Sequence, residues 1–225
     1  MTNCTKRVLT AAALILLAGI AAALEYFEIM SIKYLLIGFV AAMLFEWIAV
    51  MFDLNPLMIW KKKTKSPLPA WRRWAGIAGI AYFILAMAPA AENVGGHPWI
   101  ILLLLFIISA ADIGAWFFGR LLGGDKMWEK LSAGKTWSGQ IAGILCGTLA
   151  SVMYGLLGTD AFLPQLLWIG ISVSLLSQYG DLTASWIKRK IGIKDFGNLL
   201  PGHGGLMDRF DGWIYVLPIV WLVML

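Results

Sequence analysis

Apolar runs of about 20 residues recur along this chain, and no other feature restricts its fold as strongly. A helix of that length crosses the hydrocarbon core of a bilayer, roughly 30 Å thick at 1.5 Å per residue. Composition points the same way: the chain is 60% hydrophobic and 14% charged, where a soluble domain carries nearer a quarter charged residues. Many of the 12 Trp and 6 Tyr flank the runs, where interfacial aromatics sit. The sequence therefore predicts an all-α, polytopic integral membrane protein with about seven transmembrane helices. The expected spans are about 8–25, 34–52, 74–91, 98–118, 140–158 and 162–180, with the closing 14 residues, GWIYVLPIVWLVML, as a short seventh. The opening MTNCTKR followed by an apolar stretch has the shape of a signal peptide. It is read as an uncleaved first helix, because further spans follow and the run exceeds a usual signal core.

Charge orients these spans. Loops at 1–7, 53–73, 120–139 and 181–211 hold 2, 6, 4 and 5 Lys or Arg, 17 of the 18 in the chain, and all four fall on one side. Basic loops stay in the cytoplasm, which is expected to place the N-terminus and these loops on the cytoplasmic side and the C-terminus outward. The net charge of +5 is thus a topology signal and needs no nucleic-acid partner. The Lys61–Arg73 cluster reads as a cytoplasmic retention loop that could also touch anionic membrane lipids. Two cysteines, Cys4 and Cys146, build neither a disulfide framework nor a metal-ligand spacing.

Against this apolar background one stretch stands out, Ser177–Asp211, SQYGDLTASWIKRKIGIKDFGNLLPGHGGLMDRFD. Asp181, Ser185 and Lys188 stand at i, i+4 and i+7, one face of a helix if the sixth span continues beyond the membrane. Asp208 and Asp211, at i and i+3, are expected on one face of a short helix leading into the last span. Carboxylates converging at a membrane surface suit a hard cation such as Mg²⁺, which binds few protein carboxylates and keeps positions for phosphate oxygens. Between them, Gly204 and Gly205 in LLPGHGG permit tight turns and an anion nest beside His203. Ionisable groups within spans are functional hints by default. Asp112, among small residues in SAADIGAWFFGR, is a candidate for a polar pocket, with an ion pair to Arg120 as the structural alternative. Glu46 is expected to line a cavity or to pair with a neighbouring helix. The loop LSAGKTWSGQ holds Gly134-Lys135-Thr136, the end of a Walker A motif, but Glu129 stands where that motif needs glycine. A P-loop is rejected, while Lys135 and Thr136 stay candidate phosphate contacts. Carboxylates for a metal beside Lys, Arg and Gly for phosphate indicate phosphoryl or nucleotidyl transfer on a lipid.

The pattern Ser185-Trp-Ile-Lys188-Arg189, then Lys194-Asp195-Phe-Gly197, then Leu200-Pro201-Gly-His203-Gly204-Gly205-Leu-Met-Asp208-Arg209-Phe-Asp211 resembles the signature of phosphatidate cytidylyltransferases. ADIGAWFFGR and LSAGKTWSG resemble the middle region of that family, so the likeness covers about residues 105–225. Ala133, Ser138 and Ala184 depart from it, standing where the family usually has Pro, Glu or Gln, and Glu. The resemblance implies transfer of CMP from CTP to phosphatidate, dependence on Mg²⁺ with K⁺ as a second ion, and a homodimer. Residues 1–100 would then be scaffold helices and 101–225 the catalytic region, with the signature at 185–211. Carried onto this chain, Asp181, Asp208 and Asp211 become metal ligands, with Lys188 beside them as a catalytic residue. Asp112, Lys135, Thr136, Ser185, Arg189, Lys194, His203, Gly204, Gly205 and Arg209 become substrate contacts. Other readings are a CTP-dependent enzyme acting on an isoprenoid or ether lipid, an inactive regulatory relative, and a transporter.

Overall fold

The computed structural model describes residues 32–54, 69–128, 132–158, 162–197 and 204–225. The expected span at 8–25, Cys4, the lysines at 61–65 and His203 lie outside the described residues. Helix α1 is Ile32–Met51, α2 is Ala70–Gly95 and α3 is Pro98–Leu122. A hairpin follows, β1 (Lys126–Trp128) and β2 (Ser132–Thr136), then α4 (Trp137–Gly158), α5 (Leu163–Ile191) and α6 (Trp213–Met224).

Four of these helices, α1 to α4, are long and apolar enough to cross a membrane. Helix α5 is the longest at 29 residues, but buried Ser174, Ser177 and Gln178 make it more polar. Helix α6 has 12 residues with Pro218 inside. The chain is therefore a multi-pass membrane protein, with four spans established by length and apolarity among the described residues. Its surface agrees: Trp74, Leu85, Trp99, Leu156 and Trp168 are 71–77% exposed, an apolar exterior that suits lipid and not water. The hairpin was not anticipated. Its antiparallel strands pair Lys126 with Thr136 and Trp128 with Ser132 through an irregular register.

Two compact units divide the chain. The first comprises the described residues up to His97, together with Ile193–Phe210 and Leu217–Leu225. Here α1 and α2 pack through glycines. The Trp47 indole donates to the Gly76 carbonyl at 3.1 Å, and a Cβ on Gly76 would lie 2.9 Å from the Phe52 ring. The buried Arg72 guanidinium donates to the Val50 carbonyl near the end of α1. Helix α2 contains a π turn at Phe83–Met87, directly before Pro89. Proline has no N–H and its ring crowds the preceding turn, which widening the turn relieves. Phe196 packs beside Trp47, centroids 6.4 Å apart, and Phe210 stacks on Phe39 at 4.9 Å.

The second unit comprises the described residues of Pro98–Gly192 and Asp211–Val216. Its packing rests on small residues, as lipid-embedded helices require when no hydrophobic force separates lipid from protein. Gly139, Gly143 and Gly147 form a stripe down α4. A Cβ on each would lie 2.6, 2.8 and 3.2 Å from the carbonyl oxygens of Ala115, Ala111 and Ile107 on α3. On the other side, a Cβ on Gly170 of α5 would lie 2.6 Å from the Thr148 backbone, and Ser151 donates to the Leu166 carbonyl at 2.8 Å.

Candidate active site

Helix α5 runs unbroken from Leu163 to Ile191, so Asp181, Ser185 and Lys188 do share a helical face. Gly192 ends it at φ 83°, with its N–H donating to the Arg189 carbonyl at 3.1 Å. Gly is the usual residue for this left-handed cap, and basic residues in the last turn suit the helix dipole.

Asp181 is the centre of a charged cluster in the second unit. Lys135, from β2, forms an ion pair with its Oδ2, the two side chains being 27% and 38% exposed. Ser185 donates to Oδ1 from one turn away at 3.5 Å. Asp112 of α3 lies within electrostatic range of both Asp181 and Lys135. Asp211 is joined to Asp181 by a side-chain hydrogen bond and feels the Lys188 charge. Burial, then the Asp181 charge, pushes the Asp211 carboxyl well above the usual carboxylate range, while Lys188 and the Gly212 amide act against that shift. The Gly212 N–H donates to Asp211 Oδ1 at 2.9 Å. Two glycines missed in the sequence bring this turn onto α5. A Cβ on Gly180 would collide with the Asp211 carbonyl, and one on Gly212 would lie 2.8 Å from Ser177 Oγ.

Thr136 Oγ1 accepts from the Gly139 N–H at 3.1 Å and caps the start of α4. Ser138 donates to the Gly123 carbonyl, fastening the loop after α3 to the start of α4. The Gly-Lys-Thr segment thus lies on a hairpin strand, not a phosphate loop. Arg189 is exposed, and Lys190 lies over the Trp186 ring at 4.7 Å.

The first unit holds the remainder of the signature. The expected short helix carrying Asp208 and Asp211 is not formed; residues 206–212 are bends and turns. The reason is local competition, because short acidic side chains bond to nearby amides in place of a helical ladder. Asp208 Oδ2 accepts from the N–H groups of Phe196 at 2.8 Å and Gly205 at 2.9 Å. Gly204 adopts φ 91° beside it, a conformation that favours glycine. Glu46, expected to line a cavity or pair with a helix, accepts from the backbone N–H groups of Leu206 at 2.9 Å and Met207 at 2.7 Å. Lys194, Asp195 and Arg209 are exposed.

Among the described residues, no three His, Cys, Asp or Glu side chains stand close enough to cage a metal by themselves. Mg²⁺ does not need such a cage, since one or two carboxylates plus substrate phosphates satisfy it. The Asp181–Asp211 pair, in direct hydrogen-bond contact and with Asp181 partly open to solvent, fits that donor set. Asp208, with one oxygen already accepting two amides, fits it less well.

Fold and cluster together define a multi-pass membrane protein with acidic and basic groups gathered in its second unit. The profile of the cytidylyltransferase family matches residues 2–225, and the chain belongs to that family. Proteins named phosphatidate cytidylyltransferase are similar to it. One from Staphylococcus epidermidis is 41% identical over 126 residues, covering 56% of this chain and 48% of the relative. One from Staphylococcus haemolyticus is 39% identical over 148 residues, with 65% and 54% covered. One from Brucella suis is 38% identical over 149 residues, with 64% and 53% covered. The chain spans about half the length of the curated relatives it matches.

Proposed function

We propose that this protein is a phosphatidate cytidylyltransferase, a nucleotidyltransferase that converts CTP and phosphatidate into CDP-diacylglycerol and pyrophosphate. The observation that carries the reading is the Asp112, Asp181, Asp211, Lys135 and Lys188 cluster in a chain of the cytidylyltransferase family. A phosphate oxygen of the lipid attacks the α-phosphorus of CTP, a new P–O bond forms, and the bond to the departing pyrophosphate breaks. A phosphate monoester has a second pKa of about 6 and is largely dianionic near neutral pH, so no strong general base is required. Catalysis is then positioning and charge neutralisation. Lys135 and Lys188 supply positive charge to the phosphates, and Asp112 belongs to the same charged cluster. Arg189, Lys194 and Arg209 are further phosphate contacts in this reading, and Ser185 orients Asp181. Asp181 and Asp211 would hold Mg²⁺, with Asp208 assigned to ordering its loop. When bound, the ion supplies charge stabilisation for the phosphates. K⁺ as a second ion, a homodimer and an active site on the cytoplasmic face of an inner membrane belong to the same proposal.

The test is purified protein in detergent with labelled CTP, phosphatidate and Mg²⁺. The expected product is a labelled CDP-lipid, with near-complete loss in Asp181→Asn and Asp211→Asn. Activity near wild type in both variants would remove the metal assignment; a product from another lipid in place of phosphatidate would remove the substrate.

A further inference from the structure

Glu46 belongs to no part of the signature, yet it is fully buried in α1. A carboxylate there is costly unless its oxygens are satisfied. Both are: Oε1 accepts from the Leu206 N–H and Oε2 from the Met207 N–H, residues 160 and 161 positions away in the chain. Bonds from amides to an ionised acceptor are the stronger kind, and two successive amides on one carboxylate fix the plane of the peptide between them. The loop is shaped to admit this group. A Cβ on Gly205 would lie 2.7 Å from Glu46 Oε2 and 2.8 Å from the Gly197 nitrogen. Three residues on from Gly205, Asp208 ties the same turn to Phe196 and Gly205. Two carboxylates thus splint residues 204–208, one from within the loop and one from a distant helix.

The geometry assigns Glu46 the role of positioning residue for the signature loop: its carboxylate holds the Leu206 and Met207 amides and so sets how Arg209 is presented to the nucleotide. This rests on the reading of that loop as part of the CTP site. Glu46 does not touch the reacting atoms.

The test uses the full chain in detergent and two readouts. Glu46→Gln keeps the shape but turns one acceptor into a donor facing an N–H. It should speed hydrogen exchange at Leu206 and Met207 by about tenfold or more and raise the KM for CTP by about tenfold, with little change in the KM for phosphatidate. Glu46→Asp, which keeps both acceptor oxygens, should recover part of both effects. Gly205→Ala approaches the same contact from the loop side and should reproduce the CTP defect without altering the membrane helix. Wild-type exchange at 206–207 in Glu46→Gln overturns the assignment, as does equal loss in the Gln and Asp variants in proportion to folded protein. Should the wild-type chain make no CDP-lipid, the proposed function fails, while the exchange measurement still judges Glu46.

Discussion

Gly180→Ala isolates the geometry of the carboxylate pair. The added methyl group would overlap the carbonyl oxygen of Asp211, and both Asp211 C and Gly212 Cα would lie 3.3 Å away. These are backbone atoms, so no rotamer change relieves the clash; the turn must lift from α5. Overpacking of this kind costs about 1–3 kcal/mol. Replacing a helical glycine by alanine returns roughly 1 kcal/mol of propensity, so net destabilisation is expected to stay at about 2 kcal/mol or less. Function is far more sensitive, because a displacement near 1 Å in a positioned group can cost about 10²-fold in rate. Asp211 moves with its carbonyl, and the hydrogen bond to Asp181 is lost. The expected result is a folded protein, judged by thermal unfolding in detergent, whose kcat for CDP-lipid formation falls by about two orders of magnitude. A Gly180→Ala protein within twofold of wild-type kcat would refute the claim that the Asp181–Asp211 contact matters for turnover.

Lys135→Met removes the partner of Asp181 from a pair that is partly exposed on both sides. Stability should shift by no more than about 1 kcal/mol, while kcat/KM falls by about 10²-fold, read from parallel unfolding and steady-state assays. Gly143→Ala places a Cβ 2.8 Å from the Ala111 carbonyl and 3.0 Å from the Ala115 side chain. It should destabilise the α3–α4 pair by about 1–3 kcal/mol, lowering the unfolding temperature; an unchanged one would contradict the packing described.

The membrane character was legible because each span carries its own signal: twenty apolar residues mean the same wherever they occur. The common face of Asp181, Ser185 and Lys188 was legible for a related reason, since helical periodicity continues past the apolar run until Gly192 stops it. What escaped the sequence depends on distant partners. Nothing local says that Glu46 serves amides about 160 residues later, and an acid inside a span reads equally well as a pore group or a helix partner. The spacing of Asp208 and Asp211 suggested a helix, but spacing alone cannot show that a side chain will take the amides the helix would need. The hairpin carrying Lys135 was hidden because its strands are only three and five residues long, too short for alternation to emerge. Gly180 resembled any glycine in a lipid-facing segment until the Asp211 carbonyl was seen against it.

The α3–α4 seam has one further consequence. Gly139, Gly143 and Gly147 meet the carbonyls of Ala115, Ala111 and Ile107, stepping four residues along one helix and four back along the other. Such a seam works as a detent. A slide of about 1.5 Å would carry each glycine off the carbonyl it faces, and the next setting that again faces glycines with carbonyls is a whole turn away, about 5.4 Å. Bilayers of different thickness act on helices by tilting and shifting them, yet this pair offers no intermediate stop. Asp112 rides on one helix and the Lys135 hairpin enters the other, so the seam that sets the two helices against each other also sets the spacing of these two groups.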